Sequence, residues 1–191
     1  MWIGHADVGG TPTTTVTKID TTNDSIVAKV EVGAGNGYMC LHIPTTGNTE
    51  LWQRAKTDSN IKVVDTVTNA ILDIVTPPAV PLSITSFKSD GDNIWIGTAT
   101  QLFKVDAVSR AITNTLAIPV YGMCWDGSYI WISDFGTTIK KFDPRTEAVV
   151  ATVTTNTPSR KPHFNGRNVF LPCGPSGKVE MIDVNLATIL N

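Results

Sequence analysis

Residues 121–155 read YGMCWDGSYIWISDFGTTIKKFDPRTEAVVATVTT, and this stretch decides the fold. Asp126-Gly127 is a dipeptide favoured in tight hairpins. It separates a strand expected at 121–125 from one at 129–133, which is apolar on both faces at Ile130, Trp131 and Ile132. A third strand is expected at 138–142, ending at Asp143-Pro144, and a fourth at 148–154. Connections this short cannot carry a crossover between parallel strands, so the four form an antiparallel meander.

Outward from this unit, the pattern returns along the chain. An aspartate closes the third strand at Asp20, Asp65, Asp106, Asp143 and Asp183, in steps of 37 to 45 residues. Four residues before it stand Val16, Ile61, Leu102, Ile139 and Val179. One residue before it stand Ile19, Val64, Val105, Phe142 and Ile182, and six after it Ile26, Ile71, Ile112, Val149 and Ile189. All are aliphatic or aromatic. The first two columns are three apart and so point to opposite faces of a strand. A strand apolar on both faces is covered on both sides. Four strands repeating every ~40–45 residues are the signature of a propeller blade; a two-sheet sandwich would alternate apolar and polar positions instead. The expected fold is all-β, a β-propeller of about five four-stranded antiparallel blades. It forms a single domain over residues 1–191, with units at about 1–36, 37–78, 79–119, 120–158 and 159–191.

Composition narrows the function classes. Hydrophobic residues make up 41% of the 191 and support a substantial core. A net charge of −2 argues against a nucleic-acid groove, which needs a basic stripe. No apolar run approaches the roughly 18 residues of a membrane span. The start, MWIGHADVGG, lacks the basic and apolar regions of a signal peptide.

The units differ in detail. MWIG at the start matches the second strand, since Trp2 aligns with Trp95 and Trp131, and no first strand precedes it. Trp52 stands for this aromatic in unit two, the most divergent copy, and Phe170 in unit five. The chain reaches Asn191 eight residues past Asp183, so the last unit's fourth strand is expected to be short. The first and last blades are thus read as incomplete. Open sheet edges aggregate. Three readings are open: the chain is a piece of a longer propeller, its ring has five blades with clipped edges, or a partner chain supplies strands by edge addition, which includes self-association.

IWISDFGTTIKKFDPRTEAVVATV (130–153), with MWIG…VTKIDTTNDSIVAKVEVG and VFLPCGPSGKVEMIDVNLATIL, resembles the YVTN-type propeller repeat. That family implies an extracytoplasmic, cell-surface or virion setting and a binding or structural role. Virginiamycin B lyase and gluconolactonase-type hydrolases are related propellers with metal-dependent chemistry. Their catalytic His and acidic ligand patterns have no match here, and fold alone does not license an activity.

Residues able to carry chemistry are few. The five anchor aspartates each precede a turn, which an Asp side chain caps, and lie on different blades, too far apart to share an ion. Cys40 and Cys124 occupy equivalent first-strand positions and read as small buried apolar residues; with Cys173 the count is odd, against a disulfide framework. His5, His42 and His163 are scattered, with His42 and His163 on or near first strands. Gly33-Ala-Gly-Asn-Gly37 and Cys173-Gly-Pro-Ser-Gly-Lys178 lack the helix of a phosphate loop. Asp134-Phe135-Gly136 spells the kinase magnesium motif without its companions. No Ser sits in a nucleophile elbow.

Propeller ligands sit where blade links and second-to-third-strand loops converge. The binding candidates are therefore Tyr38, Tyr121, Arg160, Lys161 and His163 near links, and Asp134 in such a loop. Two adjacent basic residues are too few for nucleic acid. The reading is a non-enzymatic scaffold or binding module that presents a loop-rich face to a protein or glycan, with no cofactor, metal or catalytic residue assigned. The alternative is a metal-dependent lyase or hydrolase with its site over the central channel.

Overall fold

A computed structural model describes residues 1–4, 15–33, 36–44, 46–55, 60–75, 84–155, 160–174 and 177–190. Expectations placed on His5 and on parts of the 33–37 and 173–178 segments lie outside the described residues. Strand-forming Val, Ile and Thr dominate the described elements, and no α-helix occurs among them.

Five antiparallel sheets succeed one another along the chain, each a meander of sequence neighbours. The first has three strands, β1 (Trp2–Gly4), β2 (Thr15–Asp20) and β3 (Ser25–Glu31). The second has β4 (Asn36–His42), β5 (Glu50–Ala55), β6 (Ile61–Asp65) and β7 (Ile71–Val75). The third has β8 (Ile84–Ser89), β9 (Asn93–Thr98), β10 (Leu102–Asp106) and β11 (Ile112–Leu116). The fourth, the decisive stretch, has β12 (Gly122–Trp125), β13 (Ile130–Ser133), β14 (Thr138–Asp143) and β15 (Ala148–Thr154). The fifth has β16 (His163–Phe164), β17 (Asn168–Cys173), β18 (Lys178–Asp183) and β19 (Thr188–Leu190).

Asp20, Asp65, Asp143 and Asp183 cap the turn after the third strand. Asp20 Oδ1 accepts from the Thr22 N–H and hydroxyl, at 2.8 and 2.7 Å. Asp65 Oδ1 accepts from the N–H groups of Val67 and Thr68, and Asp183 Oδ1 from those of Asn185 and Leu186. Asp143 takes the Arg145 N–H and a two-pronged guanidinium contact. Four residues past each anchor the backbone turns left-handed, at Asp24, Asn69, Arg110, Glu147 and Ala187, with φ of 51–60°. The first-to-second-strand hairpins of sheets three, four and five repeat as closely, with Gly91, Gly127 and Gly166 at φ of 94–105°.

Two compact units form, one of residues 1–82 with 107–111, the other of 83–106 with 112–191. In the first, Val16, Val30 and Val32 of sheet one pack on Leu51 and Val64 of sheet two. In the second, β13 is buried on both faces, as its unbroken apolar run requires. Ile130 and Ile132 join Trp95, Leu102 and Phe142, while Trp131 joins Val169, Leu171 and Ile182 on the other side. Trp95 meets Phe142 edge to face at 5.1 Å.

Burial corrects the column argument at two places. Val179 is 59% exposed, because short β19 pairs only as far back along β18 as Met181. Ile26, Ile71 and Val149 are also exposed. They lie on outer strands with one neighbouring strand, so being apolar at a repeat position does not bury them. Cys40 is half-buried rather than buried; Cys124 and Cys173 are buried, and none of the three forms a disulfide. Phe170 is half-buried where its tryptophan counterparts Trp52, Trp95 and Trp131 are fully enclosed.

Candidate binding site

The site grows from the end of β13. Gly122 pairs with Ser133, and the Tyr121 N–H donates to the Ser133 carbonyl at 2.6 Å, so Tyr121 is held beside the loop that leaves Ser133. That loop is Asp134-Phe135-Gly136. Asp134 Oδ1 accepts the Gly136 N–H at 2.9 Å, an Asx turn. A Cβ at Gly136 would lie 2.9 Å from that same oxygen, so the turn needs glycine there. The turn drives Phe135 to φ 72°, a conformation that costs a bulky residue of order 1–3 kcal/mol. Phe135 is 48% exposed, and its ring lies 3.5 Å from that of Tyr121, tilted by 46°.

The link into sheet five supplies two cations. The Ser133 hydroxyl donates to the Arg160 carbonyl at 2.8 Å, and the Arg160 N–H to the Pro172 carbonyl at 2.9 Å. The Lys161 backbone passes so close to Gly122 that a Cβ there would fall 2.7 Å from the Lys161 Cα. With the main chain so anchored, the Arg160 guanidinium lies 5.2 Å from the Phe135 ring centre and Lys161 Nζ 5.7 Å from that of Tyr121. The Arg160 head also rests on Gly174, where a Cβ would stand 2.6 Å from Nε.

Asp134 is spoken for. Burial pushes its carboxyl up, but the Lys140 ammonium at 2.5 Å and the Gly136 N–H outweigh that and hold it below its ordinary value. Its charge is offset by Lys140, so Arg160 and Lys161 give the patch its positive character.

Of the six residues expected from sequence, the structure brings together Tyr121, Asp134, Arg160 and Lys161. Tyr38 lies half-buried in β4, in the other compact unit. His163 is exposed on β16, opposite Phe170, and nothing ties it to the cluster. Sequence reasoning missed Phe135 and Lys140. A Gly two residues after an Asp in a short loop was the available sign of an Asx turn that thrusts its middle residue outward.

Other features carry less. Cavities of about 350 and 370 Å³ recur at equivalent turn positions of sheets three to four and four to five. None of the six expected residues lines them, and their floor groups are already paired, as Lys141 with the Val184 carbonyl at 2.5 Å. In the first unit, His42, Glu50 and Asp65 stand in one cross-strand row beside a cavity of about 260 Å³. There Arg110 and the Trp52 indole take the two Glu50 oxygens. His42, read as lying on or near a first strand, ends β4 and is buried. Burial pushes the Cys124 thiol up to about 12, away from the thiolate form that a nucleophile needs. No three His, Cys, Asp or Glu side chains converge for a metal among the described residues. No helix among them is long and apolar enough to cross a membrane.

No family model and no curated protein matches the chain. Among solved structures, 1102 chains match, a breadth that identifies a fold and leaves function open. One is a chain in the crystal structure of a mitotic checkpoint complex, at 15% identity and a TM-score of 0.71, over 92% of this chain and 58% of that one. This chain therefore spans less than two thirds of that neighbour. The sheets and this similarity define an all-β protein of the β-propeller fold.

Proposed function

We propose that this protein is a non-enzymatic scaffold that holds a partner protein at the Tyr121–Phe135–Arg160–Lys161 patch. The observation that carries the reading is Phe135. A large, exposed aromatic is kept in a left-handed backbone conformation and braced by a second ring and a cation. Folding alone would favour glycine there, and strain retained at an exposed aromatic points to recognition. That the structural neighbour sits in a checkpoint complex supports a protein partner. A surface or virion setting, implied by the YVTN-type resemblance, accords with such a role.

Phe135→Gly separates binding from folding. It removes the ring and relieves the backbone, so the melting temperature is expected to hold or rise while binding to a peptide or glycan array is lost. Array binding that survives Phe135→Gly, or a wild-type protein that binds no array member, overturns the proposal.

Self-association is a second proposal, carried by exposed apolar residues on the outer strands, Ile26 and Val27, Ile71, Leu72 and Ile74, and Val149 and Val150. Light scattering is expected to show a mass that rises above 20.5 kDa with concentration. Val150→Lys should hold it down, because charge on an edge blocks pairing. A constant monomer mass at every concentration rejects it.

A further inference from the structure

We infer that the patch reads a carboxylate in an acidic segment of the partner protein, and that the Arg160 guanidinium is the group that takes it. The inference rests on the binding role proposed above and names the chemistry of its ligand.

Four observations converge. First, Arg160 is exposed, and its guanidinium pairs with no carboxylate among the described residues. The nearest candidate by position, Asp134, is closed off by Lys140 and the Gly136 N–H. Second, the arginine is held at its main chain and its head rests on neighbouring groups. Its N–H and carbonyl are both bonded, and its head lies across Phe135 and against Gly174. A fork fixed before binding loses little rotamer freedom on meeting its ligand, and a guanidinium matches a carboxylate through two parallel N–H bonds. Third, Lys161 sets a second cation beside the first, so a chain of net charge −2 carries a local positive spot that attracts anions. Fourth, Tyr121 and Phe135 cover each other and are each flanked by a cation. A sugar needs an open ring face to stack on, and here each ring already has a second ring and a cation against it. The exposed part of Phe135 suits an aliphatic or aromatic side chain next to the acid. Two cations form no stripe along which a nucleic-acid backbone could run.

The test uses the full chain and capped peptides in which Glu alternates with Leu or Phe, each with a Gln-for-Glu twin, beside a polyuronate as the carboxylated glycan. Anisotropy titrations are expected to favour the Glu peptides over their Gln twins by about tenfold or more, as a charge-assisted fork requires. Affinity should fall as salt rises. Arg160→Ala should abolish that preference. Arg160→Lys should recover only a fraction of it, since an ammonium keeps the charge and loses the fork. Lys161→Ala should weaken it several-fold. Thermal melts of each variant verify folding. Glu and Gln peptides bound equally, full rescue by Arg160→Lys, or a polyuronate bound more tightly than any peptide would each overturn the inference. A neutral probe bound in a Phe135-dependent manner, with no preference for Glu, would sink the carboxylate assignment and leave the binding role standing. No Phe135-dependent binding of any probe would sink both.

Discussion

Trp131 shows how one side chain ties a turn to the interior. Its ring is fully buried, yet its Nε1–H reaches Asp126 Oδ2 at 2.7 Å, while Asp126 Oδ1 accepts the N–H groups of Ser128 and Tyr129. Asp90 does the same for Trp95 and its own turn. In sheet five the aromatic is Phe170, which has no N–H to satisfy, and the turn residue is Asn165, whose Oδ1 keeps the two backbone bonds. In sheets three and four Asp goes with Trp and in sheet five Asn with Phe, because a carboxylate has a second oxygen to offer; in sheet two the Trp52 indole takes a Glu50 oxygen instead. The pairing is open to mutation at either end. Trp131→Ala should cost about 3–5 kcal/mol in urea unfolding, as loss of an enclosed aromatic. Asp126→Asn should cost more in the wild-type chain than in a Trp131→Phe background, with a coupling of about 1–2 kcal/mol, since only the tryptophan leaves a buried donor behind. Additive single-site effects would mean that the indole bond carries no weight. His163→Ala, exposed and outside the cluster, is expected to stay within about 0.5 kcal/mol of wild type.

The turn after each third strand recurs at the scale of the element. At Asp20, Asp65, Asp143 and Asp183 the anchor carboxylate caps it, in every sheet a residue four positions on takes positive φ, and the ladder shifts register just before the anchor in four of the sheets. The left-handed residue is never glycine, and its side chain explains why in two cases. Arg110 bridges to Glu50 and Asp73, and Glu147 bonds Lys104 and Asn114. Ala187 makes no polar side-chain contact of that kind, only apolar packing. Ala187→Gly should therefore stabilise by up to about 1 kcal/mol, whereas Glu147→Gly should gain nothing, since relief of strain is offset by lost bonds. Destabilisation by Ala187→Gly in thermal melts would contradict this account. The meander, its strand limits and the capping role of the aspartates were legible in the sequence, because turn chemistry and apolar columns repeat at one period. A lysine two residues before the anchor also repeats, at Lys18, Lys104 and Lys141, each paired across the ladder with a tryptophan. Lys18 and Lys141 donate to carbonyls in the next sheet's turn, Thr66 and Val184, and Lys104 to Glu147. This column links neighbouring sheets, and an apolar-only reading passes over it.

Across the whole molecule, the same residues that were easy to read as fold were easy to dismiss as function, and the reverse holds at the proposed binding patch. Tyr121, Asp134, Arg160 and Lys161 could be singled out because they sit at links and loops. Phe135 could not, since its proposed role depends on a backbone angle and on a cation 25 positions away at Arg160. The anchors, by contrast, act together in one measurable property. A hydrogen bond from the Thr22 hydroxyl at Asp20, from Asn48 at Asp65, from Arg145 at Asp143 and from the Leu186 N–H at Asp183 holds each carboxyl below its ordinary 3.8. The unfolded chain regains the ordinary value, so below about pH 4 it binds more protons than the folded chain. The stabilisation from these groups is complete above that pH and is lost as pH falls through the lowered folded values. Urea unfolding is therefore expected to give a carboxylate contribution that is constant from pH 7 to about 5, then a steep loss of stability below pH 4. Asp183→Asn keeps an oxygen for the Asn185 and Leu186 N–H groups and removes one titrating site. Its acid slope should be shallower than that of the wild type, with the two curves converging at the lowest pH. Parallel curves would show that the turn carboxylates are held no more tightly in the fold than in the open chain, and that their repetition along the sequence is a matter of shape alone.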